Sequence, residues 1–294
     1  MDQNTSMDGI ILQGIGSFYR IESGNQVYTC RAQKKLRKVA APVPGDSVRF
    51  QPGTGEEDGW IEEIYPRRNA LVRPAVANVD ILALVIAPLP EPDLLLVERL
   101  LLYAAQADID PVLIVNKQDL DSELPGKIRM EYAGSPLKVF SVSAADGSGI
   151  DKLRESLREK LVCFAGQSAV GKSSLLNALC GLSLETGGLS RKTERGRHTT
   201  RRAELMTAGG MRIIDTPGFS LLDAMEMDPQ TMPDYYPEYA ELADNCRFKP
   251  CLHDREPGCA VRKNVESGRL SSVRYERYRT ILQEVRETWK ERYR

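Results

Sequence analysis

Residues 166–173 read GQSAVGKS, and this stretch decides how the rest of the chain is to be understood. It follows a short apolar run, VCFAG at 162–166, and precedes SSLLNALCG, a helical pattern closed by Gly181. Glycines at 166 and 171 allow backbone N–H groups to curl around an anion, and the N-terminus of the following helix adds a favourable partial charge. Lys172 is expected to reach the outer phosphates of a nucleotide, and the Ser173 hydroxyl to ligate Mg²⁺. The expected phosphate cradle runs through Gly166, Gln167, Ser168, Ala169, Val170, Gly171, Lys172, Ser173 and Ser174. A chance match in a Gly-rich turn is the bland alternative, and the strand–loop–helix context argues against it.

Downstream, AELMTAGGMRIIDTPG has the pattern of a hairpin. It places Asp215 at the end of an apolar strand, where a carboxylate on the Mg²⁺ side belongs. Gly218 can then present a backbone N–H to the γ-phosphate. Upstream, VNKQDL (115–120) ends another apolar run, PVLIVNK at 111–117. The Asp119 carboxylate can accept two hydrogen bonds from the N1–H and N2 amino group of guanine. Adenine offers neither donor there, and a buried mismatch of that kind discriminates by ~10⁴ or more. Asn116 can hold the loop and touch the base edge, the Lys117 stem can cover its face, and Gln118 lies between them and Asp119. Ser143 and Ala144, in SVSA at the next strand end, match a second guanine loop. A lone Asn-Lys-x-Asp can equally be a surface turn.

The base-reading half therefore precedes the phosphate half, the reverse of the usual order in such proteins. A parallel sheet tolerates this, because nearby termini permit circular permutation at an exposed loop. Around these motifs, VDILALVIAP (79–88), PVLIVNK and LKVFSVSA (137–144) are strand-like, and DLLLVERLLLYAAQA and GIDKLRESLREKL are helical. Continuous apolar strands alternating with helices predict a parallel-rich α/β sheet, with Asp93 capping the first helix.

Residues 9–65 differ in character. Short alternating segments (GIILQGIGSFYRI, QVYTCRA, SVRFQ, WIEEIY) are separated by Gly- and Pro-rich turns. That pattern predicts a small closed antiparallel sheet, either an OB-like (oligonucleotide-binding) five-stranded barrel or an SH3-like one. From 224 on, Pro, Asp and Tyr increase, and a charged helical stretch starts at Ser271. Three domains are expected: 1–66, a barrel that binds RNA; 67–223, the circularly permuted nucleotide-binding α/β domain; and 224–294, a zinc-binding and helical domain.

Taken together, these motifs resemble the circularly permuted GTPases. With a barrel in front and a Cys/His cluster behind, the chain resembles the RsgA (YjeQ/YloQ) family of ribosome-biogenesis GTPases across essentially its whole length. The resemblance implies GTP hydrolysis with Mg²⁺, binding to the small ribosomal subunit and its rRNA in late maturation, and stimulation by the subunit. Hydrolysis coupled to release is one expectation. An RNA-binding chaperone for which GTP is chiefly a structural ligand is the other. The same pocket would hold GDP, and guanosine tetraphosphate is a further candidate.

In Ras-like enzymes a Gln after the Asp-x-x-Gly motif orients the attacking water. Here that position is Phe219, which has no group for the task. The loop RKTERGRHTTRR lies where a switch segment belongs, and His198 within it is the candidate catalytic residue, as the resemblance also implies. An RNA-contacting histidine is the alternative. Thr199 or Thr200 could complete the Mg²⁺ set of Ser173 and Asp215, with Thr200 preferred.

Cys246, Cys251, His253 and Cys259 offer three thiolates and one imidazole, a donor set for one tetrahedral structural Zn²⁺. The spacing is unlike the usual paired C-x-x-C but matches the family's pattern. A disulfide or buried free thiols are the alternatives, and a reducing compartment disfavours the first. Cys30, Cys163 and Cys180 are expected to be small core residues.

Net charge is −1, so nucleic-acid affinity must come from local patches. CRAQKKLRK (30–38) supplies five cations in a barrel loop, and the C-terminal helix with Tyr275, Tyr278 and Trp289 is a second candidate surface, although a charge run is often only a solvated face. The longest apolar run, ILALVIA at 81–87, is too short to span a bilayer. Asp2 and Asp8 replace the basic-then-apolar pattern of a signal peptide, so a cytoplasmic monomer without membrane contact is expected.

Overall fold

The alternating N-terminal segments close into a barrel. Its strands are β1 (Met7–Ile15), β2 (Phe18–Ser23), β3 (Gln26–Ala32), β4 (Ser47–Gln51) and β5 (Gly59–Ile64), in the order β1-β2-β3-β5-β4, with β1 returning to β4. The molecule is described by a computed structural model over residues 6–33, 36, 41–53, 57–72, 74–181, 203–215 and 227–292. The β3–β5 pair is parallel, Cys30 opposite Gly59, while β1–β2, β2–β3 and β4–β5 are antiparallel. This is the Greek-key closure of an OB-type barrel, so the SH3-like alternative falls away. Inward positions pack Ile11, Tyr19, Ile21, Cys30, Val48, Phe50 and Ile61 into one core. Burial pushes the Cys30 thiol up to about 12, as befits a residue that only fills space.

Beyond a two-stranded hairpin, β6 (Ala70–Leu71) with β7 (Val76–Ala77), the chain enters a six-stranded sheet. Its members are β8 (Ile81–Ile86), β9 (Asp110–Val115), β10 (Lys138–Ser141), β11 (Leu161–Ala165), β12 (Glu204–Ala208) and β13 (Met211–Asp215), in the order β10-β9-β8-β11-β13-β12. Every residue of β8 and β11 is buried, as two-sided burial requires. The pairs β9–β10 and β11–β13 are parallel, and β12 closes the edge antiparallel to β13.

The chain steps outward from β8 to β9 to β10 and then returns to β11, on the other side of β8. Such a reversal of strand order is where open α/β sheets hold ligands, beyond the carboxyl ends of the strands. Helices α1 (Leu94–Gln106), α2 (Leu124–Glu131) and α3 (Ile150–Leu157) link the strands before β11, and α4 (Lys172–Cys180) follows it. Asp93 caps α1 by accepting from the Leu96 N–H at 2.9 Å.

The C-terminal part contains a 3₁₀ turn (Met232–Tyr235) and helices α5 (Pro237–Ala243), α6 (Ala260–Glu266) and α7 (Ser272–Glu291). Ser271 caps α7, and Arg274, Tyr275, Tyr278, Ile281, Leu282 and Val285 form its buried stripe at helical spacing. In their described residues, Met1–Ala83, Asp151–Ala165 and Lys172–Phe219 make one compact unit, and Leu84–Ile150, Gly166–Gly171 and Ser220–Arg294 the other. No helix among the described residues is long and apolar enough to cross a membrane.

Candidate nucleotide site and metal centre

Asn116, Lys117 and the loop Gly166–Gly171 lie in one compact unit, and side chains tie them together. Asn116 follows β9, is buried, and donates from Nδ2 to the Val170 carbonyl at 2.9 Å. Its Oδ1 accepts from the Ala144 N–H at 3.2 Å. One amide therefore joins the turn that starts at Asn116, the Gly166–Gly171 loop and the segment at Ser143 and Ala144. The Lys117 ammonium donates to the carbonyls of Leu89 and Ala169, both at 2.8 Å, which fixes the stem that was expected to lie on a base. Lys117 itself adopts a left-handed backbone, φ 57°.

The two loop glycines are demanded by local geometry. Gly166 has φ +136°, and a Cβ there would lie 2.2 Å from the Val85 carbonyl oxygen. Gly171 has φ +89°, and a Cβ would meet Asn116 Nδ2 at 2.6 Å. Between them Ser168 and Ala169 are exposed and Val170 is buried. Gln167 accepts from the Asp93 N–H at 2.9 Å and donates to the Glu91 carbonyl at 3.1 Å. This support from the segment after β8, through Leu89, Glu91 and Asp93, was not foreseen from sequence. Its only signal there was the Pro-rich APLPEPD.

Gln118 accepts a close hydrogen bond from the Ser141 hydroxyl, and its N–H donates to the Val142 carbonyl at 3.1 Å. Asp119 is exposed. Ser143 is buried, and its hydroxyl accepts from the Ala145 and Asp146 N–H groups, both at 3.3 Å. Lys172 opens α4, and burial lowers its pKa from the ordinary lysine value. A helix N-terminus with a partly desolvated ammonium is suited to an anion. Ser173 and Ser174 are half-buried in the first turn. Asp215 ends β13, its backbone opposite Glu204. His198, Thr199, Thr200, Gly218 and Phe219 lie outside the described residues, as do Lys34, Lys35, Arg37 and Lys38.

The second site is the Cys/His cluster. The ligand atoms of Cys246, Cys251, His253 and Cys259 all lie within 4.8 Å of one another. His253 Nδ1 faces Cys246 Sγ at 3.7 Å and Cys259 Sγ at 3.4 Å. Ordinary Zn–S and Zn–N bonds set tetrahedrally give S···N separations of about 3.6 Å, so the group fits zinc. Burial lowers the His253 pKa, favouring the neutral imidazole that binds metal, and pushes the Cys251 thiol up to about 12. Cys246 Sγ accepts from the Ala260 N–H at 3.3 Å, and Cys259 Sγ from the Arg262 N–H at 3.5 Å as it caps α6. Such N–H···S bonds stabilise thiolates.

Tyr275 and Tyr278, expected on an RNA-facing surface, are instead buried against this loop. Their hydroxyls donate to the carbonyls of His253 and Leu252, both at 2.6 Å. They fall on the apolar stripe of α7, and a buried phenol needs a hydrogen-bond partner that these carbonyls provide.

Comparison with known proteins agrees with this architecture. Residues 64–225 match the RsgA GTPase family model, and residues 8–61 match the RsgA N-terminal domain. The small ribosomal subunit biogenesis GTPase RsgA of Moorella thermoacetica is 44% identical over 290 residues, covering 95% of this chain and 97% of that one. The protein of the same name from Geobacillus sp. is 40% identical, covering 95% and 98%. Among solved structures, YjeQ from Thermotoga maritima superposes with a TM-score of 0.79 at 29% identity, covering 96% of this chain and 99% of that one. YloQ, described as a circularly permuted GTPase, gives 0.80 at 30% identity, covering 98% and 97%. Both halves of the sequence, the permuted order of its loops and its near full-length relatives agree: this chain belongs to the RsgA GTPase family, whose members are GTP hydrolases.

Proposed function

We propose that this chain hydrolyses GTP while bound to the small ribosomal subunit and its rRNA during late subunit maturation, that the subunit stimulates hydrolysis, and that hydrolysis releases the protein. The observation behind this is the Asn116 side chain, bonded to Val170 and Ala144. It ties together loops that occur along the chain in the reverse of the usual order, which supports one shared site.

In this reading the Asp119 carboxylate takes N1–H and N2 of guanine. Asn116, Lys117, Gln118, Ser143 and Ala144 frame the base. The backbone from Gly166 to Ser174 and the Lys172 ammonium hold the phosphates, and Gly218 adds an N–H at the γ-phosphate. Ser173, Asp215 and Thr200, with Thr199 as the alternative, would hold Mg²⁺, which would supply positive charge against the outer phosphates. His198 orients the attacking water, since Phe219 offers it no hydrogen bond. GDP, and guanosine tetraphosphate by its guanine base, would occupy the same pocket.

Cys246, Cys251, His253 and Cys259 would hold one Zn²⁺ with no open position, a folding role and not a catalytic one. Residues 1–66, 67–223 and 224–294 would act as the RNA-binding, GTP-hydrolysing and zinc-stabilised parts of a cytoplasmic monomer. The second reading, a chaperone with GTP as a structural ligand, rests on Phe219. Turnover measured with and without purified small subunits separates the two: strong stimulation supports the enzyme, and none supports the chaperone.

A further inference from the structure

One rim of the barrel displays a row of outward side chains, one from each strand. The pairing registers place Ile15 (β1) opposite Phe18 (β2), Phe18 opposite Arg31 (β3), Arg31 opposite Trp60 (β5), and Trp60 opposite Gln51 (β4). Ile15 is 55% exposed, Phe18 38% and Trp60 45%, although the inward neighbours Tyr19, Ala32 and Ile61 are buried. The Arg31 guanidinium lies over the Phe18 ring, 4.6 Å from its centroid. Asp58, which accepts from Arg31 Nε at 2.9 Å, holds the guanidinium plane there.

Large apolar rings are costly to leave in water, and nothing in the barrel core needs these two outside. Phe18 and Trp60 stand two strands apart, about 10 Å, with a flat cation between them. Rings and guanidinium planes spaced like this take successive unpaired bases by stacking, which tolerates any base because each has a π face. Flanking charge leans the same way in sequence, since Asp58 is paired with Arg31 and leaves Glu56 and Glu57 against the cations that follow β3. In sequence, β3 is followed almost at once by Lys34-Lys35-Leu36-Arg37-Lys38, four cations in five residues within a chain of net charge −1. The row lies at the end of the barrel bearing the β1–β2 turn and the β4–β5 connection, the end that OB folds turn toward oligonucleotides.

We infer that Phe18, Arg31 and Trp60 form a stacking platform for unpaired RNA bases, so that the barrel grips a single-stranded segment and not a helical backbone. This rests on the reading of the chain as an RNA-associated GTPase and adds the form of RNA it takes.

The test uses the full chain with Trp289→Phe, leaving Trp60 as the sole tryptophan. A short unstructured oligoribonucleotide should quench Trp60 fluorescence, and the same backbone carrying abasic positions should not. Measured by anisotropy of a fluorescently labelled intact oligonucleotide, Phe18→Ala and Trp60→Ala should each weaken binding by about tenfold, as loss of one base stack does. Phe18→Tyr and Trp60→Phe should restore it. The salt dependence should stay as in the parent, because phosphate contacts are kept. An unshifted unfolding midpoint in both alanine variants would show the barrel intact.

Equal affinity for intact and abasic strands, or unchanged affinity in the double alanine variant, would overturn the platform. So would normal oligonucleotide binding with lost retention on small subunits, which would assign the row to a protein surface. Stimulation of the parent chain by small subunits is read separately, so its absence would count against the proposed function while the oligonucleotide result still decides the platform.

Discussion

Replacing Arg274 with Met should loosen the C-terminal part of the molecule by about 3 kcal/mol, toward the lower end of what removing one partner of a buried ion pair costs. Arg274 donates from Nε to Glu98 on α1 at 2.9 Å and from Nη1 to Glu238 on α5. The side chains of Arg274, Glu98 and Glu238 are 8%, 0% and 5% exposed, so water cannot take over these bonds. Met keeps most of the volume and removes the charge. Two features hold the cost down. Arg277 stays 3.7 Å from Glu98, and Glu238 can take up a proton, since burial already raises its pKa against the opposing pull of Arg274. A carboxyl whose folded value is raised disfavours the folded state as pH climbs through that value. The deficit should therefore shrink as pH falls from neutral toward the ordinary glutamate range. Amide hydrogen exchange in α1 and α7 is the assay, because a two-unit chain need not unfold in one step. Exchange about 10²-fold faster is expected at the higher pH. A change below about 1 kcal/mol, the scale of an exposed pair, would refute the reasoning. A deficit that grows on acidification would do the same.

Two further outcomes follow from the sites. Metal analysis should find about one Zn²⁺ per chain, and Cys251→Ser should raise exchange in residues 227–292 while GTP binding is largely kept. Stoichiometric metal in a triple Cys→Ser variant would move the site elsewhere. His198→Ala should bind GTP within a few-fold of the parent yet lose about 10²-fold or more of subunit-stimulated turnover and remain longer on the subunit. Near-normal stimulated turnover would return that histidine to an RNA-contacting role.

Much of this architecture was legible in the chain because its strongest signals are local. The apolar runs at 79–88 and 111–117 hold strands β8 and β9, AELMTAGGMRIID becomes the β12–β13 hairpin, Asp93 caps its helix as expected, and the charged helical stretch starts at Ser271, its cap. The helix α2 was missed because ELPGKIRMEY carries Pro125 and Gly126, a breaker pattern that a first-turn proline in fact tolerates. Helices α5 and α6 are short and flank a Pro- and Asp-rich stretch, and their order comes from packing around Cys246, Cys251 and Cys259. The tyrosines of α7 are surrounded by arginines in sequence, which suggests a surface. Their spacing with Ile281, Leu282 and Val285 was the better guide. Sequence could not reveal that Asn116 and Lys117 bond to the phosphate loop, since both contacts span more than fifty residues and depend on the fold. The Phe18–Arg31–Trp60 row was equally hidden, because it exists only through strand register.

The central claim is that a base reader placed before its phosphate loop in the chain still forms one guanine-nucleotide site. Nucleotide specificity of Asp119→Asn tests it most directly. Xanthine presents a carbonyl where guanine presents its amino group, so the amide supplies the donor that the carboxylate lacks. Titration with GTP and xanthosine triphosphate, followed by turnover with each, should show GTP binding lost and xanthosine triphosphate accepted and hydrolysed in its place. A variant that keeps normal GTP affinity and gains nothing for xanthosine triphosphate would contradict the permuted site.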